Sequence, residues 1–323
     1  MDISVITVTF NRQDDLRRAL RSVMRQTGVA FEVIVADNGS TDGTPQMLQD
    51  EFPAVRVLPM GANTGMRAHN AGICAARADI LFFLDNDMVL VEDDLLARVY
   101  SYFTNDSQLG AAACRVWDVV RDRTGVSLRL SGNSPKHIAE GDARGGYETS
   151  AFDGGGAGFR RSAVLEADMF CEEFFLYHGE VDLTVRLLDC GWAVRFFPHV
   201  SVIHCHSPVE RSSDLYSFLA TRNYFWYLYR NYPVRSMFVE GLRYLVQSGE
   251  QALIGRRRRL AWAHGVLSGM LGVHRVPERR PVRREIIRRQ QEIRIADRLR
   301  KERTGEMKEL RRLTRDEVAR YGL

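Results

Sequence analysis

Asp85-Asn86-Asp87 sets two carboxylates one small polar residue apart, directly after the apolar run Ile80-Leu81-Phe82-Phe83-Leu84. A run of that length and content predicts a buried parallel strand. Acids leaving the carboxyl end of such a strand make a seat for a hard divalent cation and a phosphorylated ligand. The triplet alone carries little weight: 22 Asp in 323 residues would supply about one or two such triplets by chance. Other strand ends decide the matter. Thr9 and Asn11 follow the run Ile3–Val8, and Asp37 follows Phe31–Ala36. In an open parallel sheet all carboxyl ends lie along one edge, where ligands bind. Turn capping explains any one of these polar groups, but explains poorly why each closes a strand on that edge.

A second pair of acids, Glu180 and Asp182, opens a segment whose Val181, Val185 and Leu188 share a helix face and whose stop is Gly191. Acids in a first helical turn also suit the helix dipole for local reasons. His204 closes the strand-like run Val200–Ile203, and His206 lies two residues on, on the same face of a continuing strand. Neutral imidazole is a good ligand for Mn²⁺ and tolerable near Mg²⁺, although a lone His is more often structural.

The elements that must position these groups alternate over the first ninety residues. Leu16, Ala19, Leu20, Val23 and Met24 form one helix face that Gly28 ends. Asn38 to Gly43 is turn chemistry. A helix through Met47 and Leu48 leads to a strand at Val55–Leu58, and Asn63-Thr64-Gly65 opens a helix through Ala76. The fold class this predicts is α/β: a mostly parallel sheet flanked by helices, with right-handed crossovers. Further on, a helix is expected near 93–103, loop or hairpin over 120–150, and a close-approach or flexible segment at Asp153 to Gly158. Val194–Phe197 and Val200–Ile203 read as strands, Tyr216 to Tyr232 as an aromatic helix, and 256–323 as Arg-rich helix. Residues 1–210 are expected to form the catalytic domain and 211–323 a C-terminal helical extension.

Composition is that of an ordinary globular protein, 45% hydrophobic and 27% charged. Five scattered Cys with no C-x-x-C pair suit a reducing compartment. No secretory signal and no spanning apolar run is visible. The net charge of +4 hides an asymmetry: residues 1–255 carry 24 Lys+Arg against 32 Asp+Glu, and 256–323 carry 21 against 9. The basic tail points to an anionic surface rather than to nucleic acid. Leu260–Val273, behind Arg256–Arg259, could lie in a membrane interface or pack as a plain helical hairpin.

Four segments in order carry a family resemblance: Ser4 to Asn11, Val33 to Thr44, Asn63-Thr64-Gly65 through Asn70-Ala71-Gly72, and Asp85-Asn86-Asp87. Over about residues 3–210 the chain resembles the family 2 glycosyltransferases of the GT-A fold. The resemblance implies inverting transfer of a sugar from a UDP- or dTDP-type nucleotide sugar, with Mg²⁺ or Mn²⁺. The acceptor would be a hydroxyl of a glycan, a lipid-linked glycan or a small natural product. Carried over by motif, Asp37 recognises the base, and Thr9 and Asn11 line the nucleotide pocket with Asn63 and Asn86. Asp85 lies near ribose and metal, Asp87 is the direct metal ligand, and His204 matches a further ligand position.

Arg67 and Asn70 could approach the donor, or Arg67 could belong to a solvated helix face. Arg211 and Arg222 could reach the diphosphate, although a surface arginine is the better reading for each. In the family the stretch at 179–182 usually carries two adjacent acids, the second of them the general base. Here Gly179 replaces the first acid, which concentrates the role on Glu180, with Asp182 as the other catalytic candidate. Two rival readings are a sugar-phosphate nucleotidyltransferase and a non-catalytic nucleotide-sugar or glycan-binding module. A cytoplasmic enzyme, peripheral to the membrane if the basic tail attaches it, is the expectation.

Overall fold

The computed structural model describes residues 1–122, 125–130, 145–150, 152, 154–207, 213–252, 256–276, 279–303 and 310–323. Alternation holds through the first half: β1 (Ile3–Thr9), α1 (Gln13–Met24), β2 (Phe31–Asp37), α2 (Thr44–Glu51), β3 (Arg56–Pro59), α3 (Met66–Ala75) and β4 (Ile80–Phe83). Next come β5 (Met88–Leu90), α4 (Leu95–Asn105), β6 (Leu109–Asp122), β7 (Gly125–Leu130), β8 (Tyr147–Glu148) and β9 (Ala157–Arg160). Then α5 (Arg161–Glu166), α6 (Gly179–Asp189) and β10 (Ala193–His204) lead into α7 (Ser213–Asn231), α8 (Val234–Ala252), α9 (Arg256–Leu271) and α10 (Arg284–Arg303). The chain ends in β11 (Leu310–Arg312) and α11 (Arg315–Tyr321).

One sheet runs β11-β7-β6-β9-β4-β1-β2-β3, with β10 pairing β5, β6 and β8 off that path. Strands β3, β2, β1 and β4 are parallel, and the antiparallel β9 joins this unit to β6. Successive side chains of a strand point to opposite faces, and the apolar strands feed both sides. Ile6, Ile34, Leu81 and Phe83 enter a core under α5, α6 and α7. Val5, Val33, Val35 and Phe82 enter a core under α1, α2 and α4. The parallel register places Thr9 beside Asp37, so two polar strand ends meet at one edge, as the sequence pattern requires.

Two expectations need refinement. The pair of strands over 194–203 is one strand, β10, with a register irregularity between Phe197 and Ser201. The C-terminal extension is not wholly helical. Its last segment returns to add β11 antiparallel to β7, and Leu313 and Tyr321 cover Trp117, Leu128, Ile203 and Cys205. The 120–150 region does begin as a hairpin, β6–β7. Trimming the buried Tyr321 to Ala should cost about 3 kcal/mol, the scale for aromatic-to-alanine changes in a core. Urea unfolding checks this, and a loss well under about 1 kcal/mol would mean that the tail does not seal that side of the sheet.

Candidate active site

Strand order brings the second wall of the site to the first. His204 ends β10, whose parallel register with β6 sets it beside Asp118. The antiparallel register with β5 sets it beside Met88, next to Asp87. The His204 ring therefore lies between two carboxylates, with Nε2 3.5 Å from Asp87 and Nδ1 3.4 Å from Asp118. His206, turned by a positive φ of 50°, brings Nε2 to 3.1 Å from Asp118. Arg12 donates from Nη1 to Asp87 at 2.9 Å.

These charges compensate one another. Burial disfavours ionised Asp87, but the hydrogen bond and charge of His204, with the Arg12 guanidinium, outweigh it and hold the carboxyl at about 2. Burial also pulls His204 down. Hydrogen bonds to Asp118 and Asp87, with the charges of Asp87 and Asp85, outweigh it and hold the ring up at about 10. Burial would raise the Asp118 carboxyl, but the two imidazoles beside it keep it low. A proton thus does here what a cation would do, which is to neutralise converging carboxylates. Ligand atoms of Asp118, His204 and His206 lie within 4.8 Å of one another, and carboxylate oxygen with imidazole nitrogen is a donor set for a divalent transition-metal ion. The residues fit a divalent cation.

Glu180 reaches the site by way of glycines. A Cβ on Gly154 would sit 2.5 Å from Glu180 Oε1, and one on Gly155 would collide with the Asp85 carboxyl. Glu180 and Asp85 thus crowd adjacent residues of one glycine backbone. The glycines admit these two carboxylates; Asp153 lies outside the described residues.

The approach to Glu180 is strained. Phe175, Tyr177 and His178 have φ of 65°, 66° and 65°, each costing on the order of 1–3 kcal/mol. The segment is held from α7. Asn223, fully buried, donates from Nδ2 to the carbonyls of Phe174, Leu176 and Tyr177 at 2.9, 2.5 and 3.0 Å. Arg222 donates to the carbonyls of Glu173 and Phe174 and lies over Trp226 at 4.2 Å. It is a half-buried loop clamp rather than the surface arginine expected; Arg211 lies outside the described residues. Gly179 faces Met66, whose Cε would be 2.9 Å from a Cβ there, so methionine fills that side.

Other sequence candidates fall into place or out of it. Asn86 Nδ2 donates to Thr9 Oγ1 at 3.2 Å, and Asp37 accepts from the Ser40 N–H at 3.0 Å, both at the strand-end edge. Asn11 is a scaffold for the turn: its side chain accepts from the Thr41 N–H at 2.7 Å. Exposed Asn63 accepts from the Gly65 N–H, and Arg67 is paired with Glu172 at 2.8 Å. Asn70 is buried and exchanges hydrogen bonds with the backbone of Phe170.

Asp182 is corrected outright. Its side chain is 0% exposed and accepts from Arg186 and Asn231 at 2.6 Å each. A carboxylate enclosed and fully paired in this way cannot meet an acceptor hydroxyl. Asp118 and Asn223 escaped the sequence reading because a long strand and an aromatic helix hide them. The only available signal for Asp118 was a charge inside an apolar strand.

An α/β sheet with acids at its parallel strand ends, a carboxylate–imidazole cluster and a second carboxylate on a helix start are together the arrangement of a glycosyltransferase class of fold and site. Residues 4–166 match Glycosyl transferase family 2, and the chain belongs to that family of glycosyltransferases. It is 28% identical over 264 residues to the N-acetylglucosaminyl-diphospho-decaprenol L-rhamnosyltransferase of Mycobacterium tuberculosis, covering 70% of this chain and 83% of that one. It is 28% identical over 190 residues to the GalNAc(5)-diNAcBac-PP-undecaprenol beta-1,3-glucosyltransferase of Campylobacter jejuni, covering 57% and 59%. The fold is similar to that of the mannosyltransferase PcManGT of Pyrobaculum calidifontis, solved with GDP-Man and Mn²⁺. The TM-score is 0.54 at 16% identity, covering 84% of this chain and 86% of that one.

Replacing Asn223 with Ala should leave a folded protein whose kcat falls about 10²-fold, the scale for misplacing a catalytic group by an ångström. Nucleotide affinity should not change. Equal losses in both would show that Asn223 only holds the fold.

Burial holds the imidazoles of His69 and His178 down at about 4 from the ordinary 6.5, and the Nδ1 of each is enclosed without a partner. A depressed folded-state value means that their contribution is whole above about 6.5 and drains away as pH falls towards 4. Melting temperature should fall across that window, and less steeply in His178→Gln.

Proposed function

We propose that this enzyme is a metal-dependent, inverting glycosyltransferase. It moves a hexosyl or deoxyhexosyl group from a UDP- or dTDP-sugar to a hydroxyl of a lipid-linked glycan. The observation that carries the reading is the placement of Glu180 and Asp85 against neighbouring glycines, with Asp87, Asp118 and His204 converging at the same strand ends. Asp37 and Thr9 sit where a pyrimidine nucleotide would be read, and Asn86 ties that wall to Asp85 and Asp87. Asp87, His204 and Asp118, with His206, would hold the divalent cation. When bound, it would offset the charge that develops on the departing nucleoside diphosphate.

Glu180 acts as general base. It accepts the proton from the acceptor hydroxyl as that oxygen bonds to the anomeric carbon, on the face opposite the bond that breaks to the diphosphate. It lies in the first turn of α6, where the helix dipole favours negative charge. The family pattern puts the base one residue after a first acid; Gly179 stands at that first position here and packs against Met66. A lipid-linked acceptor is favoured over a small natural product because relatives in two organisms are named for polyprenol-linked acceptors. Such an acceptor would bring the enzyme to a membrane surface.

Glu180→Gln should lower turnover by about 10²–10⁴-fold, the range for loss of a general base. Donor binding should be almost untouched. Wild-type reactions should release nucleoside diphosphate only in the presence of Mg²⁺ or Mn²⁺. Release of pyrophosphate, or near-normal turnover by the variant, would overturn the assignment.

A further inference from the structure

Helices α8 and α9 are packed inside out for a surface in water. An ordinary surface helix buries its large apolar side chains and exposes its polar ones. On α8 the inward positions are Met237, Gly241, Tyr244 and Ser248: Tyr244 stacks on Tyr224 at 4.1 Å, and Ser248 accepts from Trp262 at 3.0 Å. Its outward positions are Phe238, Val239, Leu242 and Val246, with Phe238 68% and Leu242 66% exposed. Repeats of three and four make these one continuous stripe. On α9 the positions closest to α7 are glycines. A Cβ on Gly265 would lie 2.8 Å from the Phe218 carbonyl oxygen, and one on Gly269 3.0 Å from Phe225, so α9 lies backbone-close on α7. Leu260, Leu267 and Leu271 are left outside. These two helices hold nine of the seventeen exposed large hydrophobic side chains among the described residues. Scattered exposure is normal, but a concentration of this kind marks an interaction surface.

Charge selects the occupant. The outward face of α8 carries Arg235 and Arg243, whereas Glu240 is turned to Arg243 and Gln291. Helix α9 opens with four consecutive arginines and contains no acidic residue. A second copy would bring the same basic face against itself, and like charges across an interface are repulsive. A bilayer containing anionic lipid matches both the apolar stripe and the arginines. Neither helix is long and apolar enough to cross a membrane.

Register connects this face to the site. His264 lies against Phe218 at 4.7 Å, and Gly265 and Gly269 meet successively later turns of α7, so α9 runs parallel to α7. The arginine end of α9 is therefore level with the start of α7, where exposed Tyr216 meets Tyr177 edge-on at 4.9 Å, three residues before Glu180.

We propose that the outward face of α8 and α9 is a membrane-docking surface. It lies in the interface of a bilayer rich in anionic phospholipid and holds the active-site mouth at headgroup level. Its use in catalysis rests on the lipid-linked acceptor reading; the surface itself does not. The test is flotation of the full chain with phosphatidylcholine vesicles, with and without phosphatidylglycerol. Neither donor nor acceptor is present, so failure of the transferase reading would leave the result standing. Phosphatidylglycerol vesicles should carry the protein, and added salt should release it. F238E/L242E and, separately, L267E/L271E should reduce the vesicle partition coefficient about tenfold or more, with melting temperatures near wild type. Wild-type protein that ignores the anionic vesicles, or variants that bind them equally, would overturn the proposal. So would a wild-type dimer in light scattering that these variants convert to monomer while vesicles recruit neither form, because the face would then join two copies.

Discussion

The architecture around the site depends on one buried charge. Asp182 lies beneath the start of α6 with no solvent contact, and an unpaired carboxylate there would be expensive enough to forbid the packing. Arg186, one turn on, supplies half of the compensation. The rest comes from Asn231 and Arg230 at the far end of α7. Helix α7 is therefore fixed to α6 by a charge requirement as well as by apolar contact. Once it is fixed, Asn223 and Arg222 on the same helix come over the carbonyls of 173–177, and α9 finds its groove along α7. A carboxylate that looks catalytic in the chain is a structural tie between α6 and α7.

That tie explains how backbone strain survives beside Glu180. Three residues in left-handed conformations would relax if they were free, and only an over-determined surrounding keeps them. Gly65 contributes from the other side. It has a positive φ and lies against the Phe175 carbonyl oxygen, which also accepts from the Met66 N–H at 3.0 Å. The loop is gripped between the start of α3, on the donor side of the sheet, and α7, on the side of the C-terminal helices. Glu180 is placed by agreement between two parts of the chain.

The cation cluster follows a different logic. Its members lie on β6, at the end of β10 and just before β5, and β10 pairs with both β5 and β6 although it lies far from them in the chain. Parallel pairing to one neighbour and antiparallel pairing to the other sets His204 between Asp87 and Asp118, and a proton with Arg12 then holds the group together. The same fold that buries these acids supplies the positive charges that keep them ionised.

The sequence by itself determined the parallel half of the fold. Strand runs of period two or continuous apolarity, helices of period 3.6 and glycine stops are local signals, and parallel strands share one edge for their carboxyl ends whatever follows. Thr9, Asp37, Asp85, Asp87 and the start of α6 were legible on those grounds. Only the tertiary structure separated Glu180 from Asp182, because the difference is burial and pairing and two acids one residue apart look alike in a chain. It alone brought in Asp118, Arg12 and Asn223, whose partners lie on other elements, and it showed Arg67 paired with Glu172 and Arg222 bonded to the carbonyls of Glu173 and Phe174. It also revealed the inverted faces of α8 and α9. A helical stripe of apolar residues is the same in sequence whether it faces a core or a bilayer, and only the opposite face, already packed, tells which.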